Sequence, residues 1–222
     1  MTSMWTFFDV TIQIKNRICG GVPRSPQAIE GWIRANVDGD SRLEQLISET
    51  KDTMQVDALS EEEIEKLKQC CWNSFKTNAD GPYIEGRQVK AMIKEAANII
   101  KGPLDITAFK ARVAERVFVR EEELTLGTNA PHGSMEGVVH AMTPKGPISA
   151  LKKVDYVERP AISFSIKALN EALVCKTNKH KRYRPDQYLA AIFEMGEELG
   201  LGADRSQGFG KFKVVAFEQK EA

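Results

Sequence analysis

The residues of this sequence best suited to chemistry form a basic stretch at positions 176–184, Lys-Thr-Asn-Lys-His-Lys-Arg-Tyr-Arg. It contains five lysines and arginines, no acid, and one tyrosine. Dense cations attract phosphates and release counterions, and an aromatic ring can stack on a base. The pattern is typical of a surface that contacts a single-stranded nucleic acid. The expected contacts are Lys176, Lys179, Lys181, Arg182, Tyr183 and Arg184.

The same stretch contains the candidate catalytic residue, His180. Cleavage at a 2′-hydroxyl by general acid–base chemistry requires a group with a suitable pKa near the scissile phosphate. Of the three histidines, His180 is the best placed for this, because it lies among the cations. A histidine among cations more often only contacts the RNA. A metal-independent endoribonuclease that processes repeat RNA is therefore the alternative hypothesis to a binding protein.

A second candidate site is the glycine-rich segment 200–212, which has four glycines in its first eleven residues. It follows a predicted helix and precedes a predicted strand, which is the reverse of a dinucleotide-binding or Walker A loop. Backbone at glycines can approach a ligand closely, and Arg205 suits a phosphate. We expect this segment and the basic stretch to converge on one sugar–phosphate strand. The expected contacts are Gly202, Arg205, Ser206, Gly208, Phe209, Gly210 and Lys211.

In chain order, the predicted elements that position these residues are strand, helix, strand, strand, helix and strand. Strands are predicted over 5–15, 114–125, 156–168 and 208–218, and helices over 86–100 and 185–199. This order predicts an α+β, ferredoxin-like (split βαβ, RRM-like) antiparallel sheet with helices on one face. We expect a single domain over 1–222. It would carry a helical insertion at about 26–80, with a helix running from Ser60 past Phe75, and a variable hairpin lobe at about 127–150.

Composition narrows the class of protein. The 222 residues include 31 lysines and arginines and 31 aspartates and glutamates, so the net charge is zero and a nucleic-acid surface must be a local patch. No apolar run approaches the length of a membrane span, and the first residues lack a secretory signal, so a cytoplasmic protein is expected. The four cysteines have no metal-ligand spacing. No metal or other cofactor is expected.

Two segments resemble the RAMP superfamily, the ferredoxin-like RNA-binding proteins of CRISPR effector complexes. Residues 204–212, Asp-Arg-Ser-Gln-Gly-Phe-Gly-Lys-Phe, are similar to the glycine-rich loop that leads into the last strand of that family. Residues 83–92, Tyr-Ile-Glu-Gly-Arg-Gln-Val-Lys-Ala-Met, are similar to the family's entry into its first helix. They depart from it by Glu85 in place of proline, and by Arg87 and Ala91 in place of serine and glycine.

The resemblance implies a subunit of a ribonucleoprotein that holds single-stranded guide RNA through the glycine-rich loop and a positively charged face. It also adds Arg87 and Lys90 to the expected RNA contacts. It also implies protein partners, among them copies of the same chain in a filament. Processing nucleases of the superfamily, which often use a histidine, correspond to the alternative at His180. A protein–protein adaptor on the same fold, with region 27–79 as its contact surface, is the second alternative.

Overall fold

The computed structural model of the chain describes residues 3–24, 71–143 and 146–220, with the backbone alone at 71, 139–143 and 146–151. The chain divides into two compact units. The first comprises Met1–Ile18, Ile84–Leu126 and Glu158–Ala222, and the second comprises Cys19–Tyr83 and Gly127–Val157.

The described elements, in chain order, are β1 Trp5–Ile14, β2 Arg17–Cys19, β3 Val22–Pro23, β4 Cys71–Ser74, β5 Lys76–Asn78, β6 Gly81–Glu85, α1 Gly86–Ile100, α2 Phe109–Arg116, β7 Val117–Val119, β8 Glu123–Thr125, β9 Gly133–Thr143, β10 Gly146–Glu158, β11 Ala161–Leu169, β12 Leu173–Val174, β13 Arg182–Tyr183, α3 Pro185–Leu199 and β14 Phe212–Lys220. A 3-10 turn covers Arg205–Gln207.

The first unit is built on a four-stranded antiparallel sheet in the order β14-β1-β11-β7. The strands β1 and β7 belong to a first β-α-β half and the strands β11 and β14 to a second, and the two halves interleave. This is the split βαβ arrangement. The predicted α+β, ferredoxin-like fold class is therefore confirmed.

Alternating hydrophobicity explains why one face of this sheet is covered. Every second residue of β1, from Thr6 to Ile14, is buried, and β11 shows the same alternation. The apolar stripes of α1 and α3 pack on this face, with Phe164 of β11 lying 6.1 Å from Phe193 of α3 between ring centroids. Burying such stripes is the main term that stabilises an amphipathic helix on a sheet.

The second unit contains a separate sheet. In it β9 pairs antiparallel with β10, β10 pairs parallel with β4, and β4 pairs antiparallel with β3. Asp155 of β10 is 3% exposed and accepts hydrogen bonds from Trp72 Nε1 (2.8 Å) and Ser134 Oγ (2.7 Å). A buried carboxylate needs such partners, since an unpaired one would carry a large desolvation cost.

Several predicted elements differ from the structure. Residues 60–70 of the helix expected from Ser60 past Phe75 lie outside the described residues, as does most of the expected insertion at 26–80, whereas 71–74 and 76–78 form strands. Pairing of β4 with β3 and β10 overrides the helical spacing there. The strand expected over 114–125 is two short strands in different sheets, Val117–Val119 and Glu123–Thr125, because Ala114–Arg116 end α2. The last strand begins at Phe212 rather than at residue 208.

Within the described residues, no helix is both long enough and apolar enough to cross a membrane. The prediction of a single domain over 1–222 stays a prediction.

Candidate nucleic-acid interface

The basic stretch forms a hairpin at the amino end of α3. The strands β12 and β13 pair through Leu173 with Tyr183 and Val174 with Arg182, and the Cys175 amide donates to the Lys181 carbonyl at 3.1 Å. Leu173 and Cys175 are buried, so they anchor the base of the hairpin. We refer to residues 173–184 as the basic hairpin. Its tip, 176–182, is exposed throughout.

One carboxylate from the turn after α1 fixes the shape of the tip. Asp105 Oδ2 accepts hydrogen bonds from the Thr177 amide (2.7 Å) and from the Thr177 hydroxyl (2.5 Å), and the Asp105 carbonyl accepts from the Lys176 amide (2.7 Å). The hydrogen bond from the Thr177 hydroxyl, followed by that from its amide, lowers the pKa of Asp105. On the other side of the tip, Asn178 Oδ1 accepts from the His180 amide at 3.0 Å.

The cations of the basic hairpin point to solvent. Lys176, Lys179 and Arg182 have no ion-pair partner within 4.0 Å in the part of the chain that the structure describes. Lys181 Nζ lies 5.1 Å from the centroid of the Tyr183 ring, and a hydrogen bond to that side chain raises the pKa of Lys181. Arg184 pairs with Asp186 at 2.9 Å. The tip is therefore a concentrated positive surface held in a defined shape.

The glycine-rich segment, here called the glycine loop (residues 200–211), folds back on itself after α3. The Leu201 amide donates to the Gly210 carbonyl at 3.0 Å, and the Gly210 amide donates to the Arg17 carbonyl at 2.7 Å. A Cβ atom at Gly210 would lie 1.8 Å from the Leu201 carbonyl oxygen, so only glycine permits this approach. Gly208 has a φ of +86° with open space around it. Gly210 thus allows the two ends of the loop to meet, and Gly208 allows a left-handed backbone.

The cations of the glycine loop are already paired with acids of the helices. Arg205 Nη1 lies 2.8 Å from Glu95 of α1, and Lys211 Nζ lies 2.6 Å from Glu198 of α3. Hydrogen bonds from Lys211 and Lys15 lower the pKa of Glu198. Ser206 is exposed, whereas Gly202 and Phe209 are half-buried. Exposed pairs of this kind contribute little to stability, so a phosphate could replace either acid.

The two residues predicted on α1 have different surroundings. Arg87 is exposed and pairs with Glu85 at 2.6 Å. Lys90 is half-buried and donates to the carbonyls of Val113 (3.0 Å), Ala114 (2.9 Å) and Val117 at the end of α2. Burial, followed by the nearby charge of Lys94, lowers the pKa of Lys90 to about 8. The ammonium of Lys90 is engaged in holding α2, so we do not include it in the interface.

The basic hairpin and the glycine loop lie at opposite ends of α3, and their expected convergence on one sugar–phosphate strand stays a prediction. The basic hairpin ends where α3 begins, at Pro185, and the glycine loop starts where α3 ends, at Leu199. A helix rises 1.5 Å per residue, so 15 residues separate the two by about 21 Å. A single phosphate group cannot touch both. A bound strand would have to run along the molecule to reach them.

His180 lies at the exposed tip of the basic hairpin, and its ring makes no hydrogen bond within the described ranges. The catalytic hypothesis at His180 stays a prediction. Among residues 3–24, 71–143 and 146–220, no group of three or more His, Cys, Asp or Glu side chains could hold a metal ion.

Sequence reasoning missed the acids that shape both candidate loops. Glu95 and Asp105 come from α1 and the turn after it, far from the loops in sequence, whereas Glu198 lies in the last turn of α3, just before the glycine loop. No local motif marks them. The sequence marks Asp105 only by its position after the Gly102-Pro103 pair that stops α1. A carboxylate in such a turn can accept hydrogen bonds from an element that packs on the turn.

Comparison with known proteins adds little to this geometry. No protein-family model matches the sequence, and a search of curated proteins finds no match. Among solved structures, the chain is similar to one from the "Cryo-EM structure of the Type III-B Cmr-beta bound to cognate target RNA", with 14% identity and a TM-score of 0.49. The alignment covers 98% of this chain and 61% of that one. At this level of similarity we carry nothing over from that structure.

Proposed function

We propose that this protein binds single-stranded RNA as a subunit of a ribonucleoprotein, with the basic hairpin as its principal phosphate-binding element. One observation carries the proposal: the tip of the basic hairpin presents Lys176, Lys179, Lys181 and Arg182 to solvent. In a chain of zero net charge, this arrangement concentrates positive potential at one place.

The anchoring of the tip supports binding rather than a merely solvated loop. The hydrogen bonds from Thr177 to Asp105 hold the backbone of the tip before any ligand arrives. A loop that is already ordered loses less conformational entropy on binding. Tyr183, half-buried beside Lys181, offers an aromatic edge for a base next to the phosphates.

The glycine loop supports a second, weaker contact with the same strand. Its cations Arg205 and Lys211 are balanced by Glu95 and Glu198, so it adds little net attraction for a polyanion. Its exposed backbone near Gly208 leaves room for close approach. A strand that contacts both elements must span the distance of about 21 Å between the two ends of α3.

Fluorescence anisotropy with a labelled, unstructured oligouridylate tests the proposal. The Lys181→Ala/Arg182→Ala variant removes two tip charges and should weaken binding at least tenfold at low salt. The Lys76→Ala/Lys153→Ala variant removes two charges from the second unit, where we propose no RNA contact, and serves as the charge-matched control. Equal losses in both variants, or no binding by the wild-type protein, would contradict the proposal.

The same mixture of protein and oligonucleotide also tests the two alternatives, the endoribonuclease and the protein–protein adaptor. Shortening of the oligonucleotide without metal, abolished by His180→Ala, would establish the endoribonuclease. An absence of RNA affinity even at low salt is the result expected for the protein–protein adaptor.

A further inference from the structure

The face of the sheet opposite the helices carries an unassigned row of side chains. Antiparallel partners point to the same face. Phe7 of β1 is opposite Lys220 of β14 on one side and Lys167 of β11 on the other, and Lys167 is opposite Phe118 of β7. One residue from each of the four strands thus forms a row that alternates cation and aromatic ring, about 14 Å wide at the usual strand spacing.

Two neighbours extend this row with the same chemistry. Trp5 lies two residues before Phe7 on the same face, and its ring meets Phe118 edge-on at 6.0 Å between centroids. Arg120 lies two residues beyond Phe118, with its guanidinium 5.6 Å from the centroid of Phe7. Lys167 Nζ lies 4.2 Å from the Trp5 ring. We call these residues the aromatic row: Trp5, Phe7, Phe118, Arg120, Lys167 and Lys220.

The aromatic row is accessible. Phe118 is 43% exposed, and Trp5, Phe7 and Lys167 are half-exposed, in contrast to the fully buried alternate residues of β1. Aromatic rings left at a surface between cations cannot be explained by the core, which lies on the other face. Arg120 and Lys167 lie over Phe7 and Trp5 without a carboxylate partner among the described residues, so a flat ligand can displace them. Lys90 Nζ lies 5.0 Å from the centroid of the Phe118 ring, and its hydrogen bonds to the end of α2 keep it there.

The row lies at the same end of the sheet as the basic hairpin. Trp5 pairs with Leu169 at the end of β11, and the hairpin strand β12 begins four residues later at Leu173. On the other face of the sheet, a cleft at the amino end of α3 is lined by Thr6, Gln219 and Arg184, between this end of the sheet and the base of the hairpin. The glycine loop leads into the opposite end, where Phe212 pairs with Ile14.

The charges around the row select the occupant. Lys167 and Arg120 have no carboxylate within ion-pair distance in the described part of the chain, whereas Lys220 pairs with Asp9 at 2.5 Å. The next row inward contains Asp9 and Glu218 opposite each other. The unpaired cations therefore favour binding of a polyanion across the end of the sheet, and the acids of the next row disfavour its binding along the centre. This charge pattern suits a sugar–phosphate strand better than an uncharged protein surface.

We infer that the aromatic row is a base-stacking platform for single-stranded RNA, on which unpaired bases stack against Phe7 and Phe118 while Lys167 and Arg120 contact the flanking phosphates. Base–aromatic stacking is strong and tolerant of sequence. The inference rests on the proposed function and adds to it where the bases of the bound strand lie.

Anisotropy measurements with the full-length protein and labelled oligouridylate test the platform. Phe118→Ala should raise the Kd roughly five- to 150-fold, the range expected for one stacked base. Because no charge is removed, the slope of log Kd against log salt should stay unchanged. Ile99→Ala on α1 removes a comparably exposed apolar side chain (46%) from the helical side and should bind like the wild type. Phe7→Leu gives a second, more conservative test of the same surface, with folding checked by circular dichroism.

The outcomes separate the platform from the proposed function. If Phe118→Ala and Phe7→Leu bind as tightly as the wild type while Lys181→Ala/Arg182→Ala binds weakly, RNA binding stands and the platform is overturned. If the wild-type protein binds no RNA, the proposed function fails and the platform fails with it.

Discussion

Lys90 shows how a cation that suits RNA by its type can be used for folding. Its ammonium donates to the carbonyls of Val113, Ala114 and Val117 at the end of α2, and the Val113 carbonyl also accepts from the Val117 amide. Lys90→Met keeps the aliphatic stem and removes all three of the hydrogen bonds that the ammonium donates. We expect it to lower the free energy of unfolding by about 1–3 kcal/mol, measured by urea denaturation.

Lys110→Met on α2, where the lysine is exposed, is the control and should change the unfolding free energy by less than about 0.5 kcal/mol. If the two variants unfold alike, Lys90 does not hold α2. Lys110→Met should also leave RNA affinity unchanged.

Arg205 is the residue whose role depends most on a neighbour. It is ion-paired with Glu95, so its charge reaches a ligand only in part. Glu95→Gln would release the guanidinium while keeping the side-chain shape. If the bound strand reaches the glycine loop, this variant should bind oligouridylate several-fold more tightly, and Glu95→Gln/Arg205→Ala should lose the gain.

An unchanged Kd in Glu95→Gln would place the glycine loop outside the bound strand. The basic hairpin would then act without it.

At the scale of elements, the glycine loop makes a sharp prediction about two glycines that look alike in sequence. Gly208→Ala meets no atom but must hold a left-handed backbone, which costs about 1–2 kcal/mol. Gly210→Ala must also displace the Leu201 carbonyl, so its loss of stability should exceed that of Gly208→Ala by at least about 2 kcal/mol. Thermal unfolding followed by circular dichroism measures both. Equal midpoints would contradict the described closure of the loop.

The sequence could predict those elements whose hydrophobic pattern matches the burial of their residues in the fold. The helix 185–199 begins with Pro185 and carries a continuous apolar stripe, and β1 alternates along its whole length, so both follow from local spacing. The strand β4 could not be predicted, because it exists through pairing with β3 and β10, which are distant in sequence. Tertiary pairing overrode the helical spacing of Cys71 and Phe75.

The candidate site divides in the same way. The basic hairpin was visible as a run of charge, since its residues are contiguous. The aromatic row was not, because Lys220, Phe7, Lys167 and Phe118 come from four strands and meet only through sheet register. Sequence offers one signal for Trp5 and Phe7. Both are aromatic residues at the positions of an alternating strand that should face away from the core.

For the whole molecule, zero net charge combined with a local cationic surface predicts a modest salt dependence of binding. Each phosphate contact on a single strand contributes about 0.7 to the slope of log K against log salt. Removal of Lys181 and Arg182 should therefore lower the slope by about 1.4, whereas Lys76→Ala/Lys153→Ala should leave it nearly unchanged. Anisotropy titrations at four or more salt concentrations give the slopes. A slope that is the same in wild type and hairpin variant would contradict a phosphate-binding role for the tip.

Ultraviolet crosslinking of oligouridylate to the full-length protein, followed by Glu-C digestion and mass spectrometry, tests the central claim most directly. The account predicts RNA adducts in the peptide 172–194, which contains the basic hairpin, and in the peptide 116–121, which contains Phe118. Adducts confined to segments 19–83 and 127–157 of the second unit would contradict it.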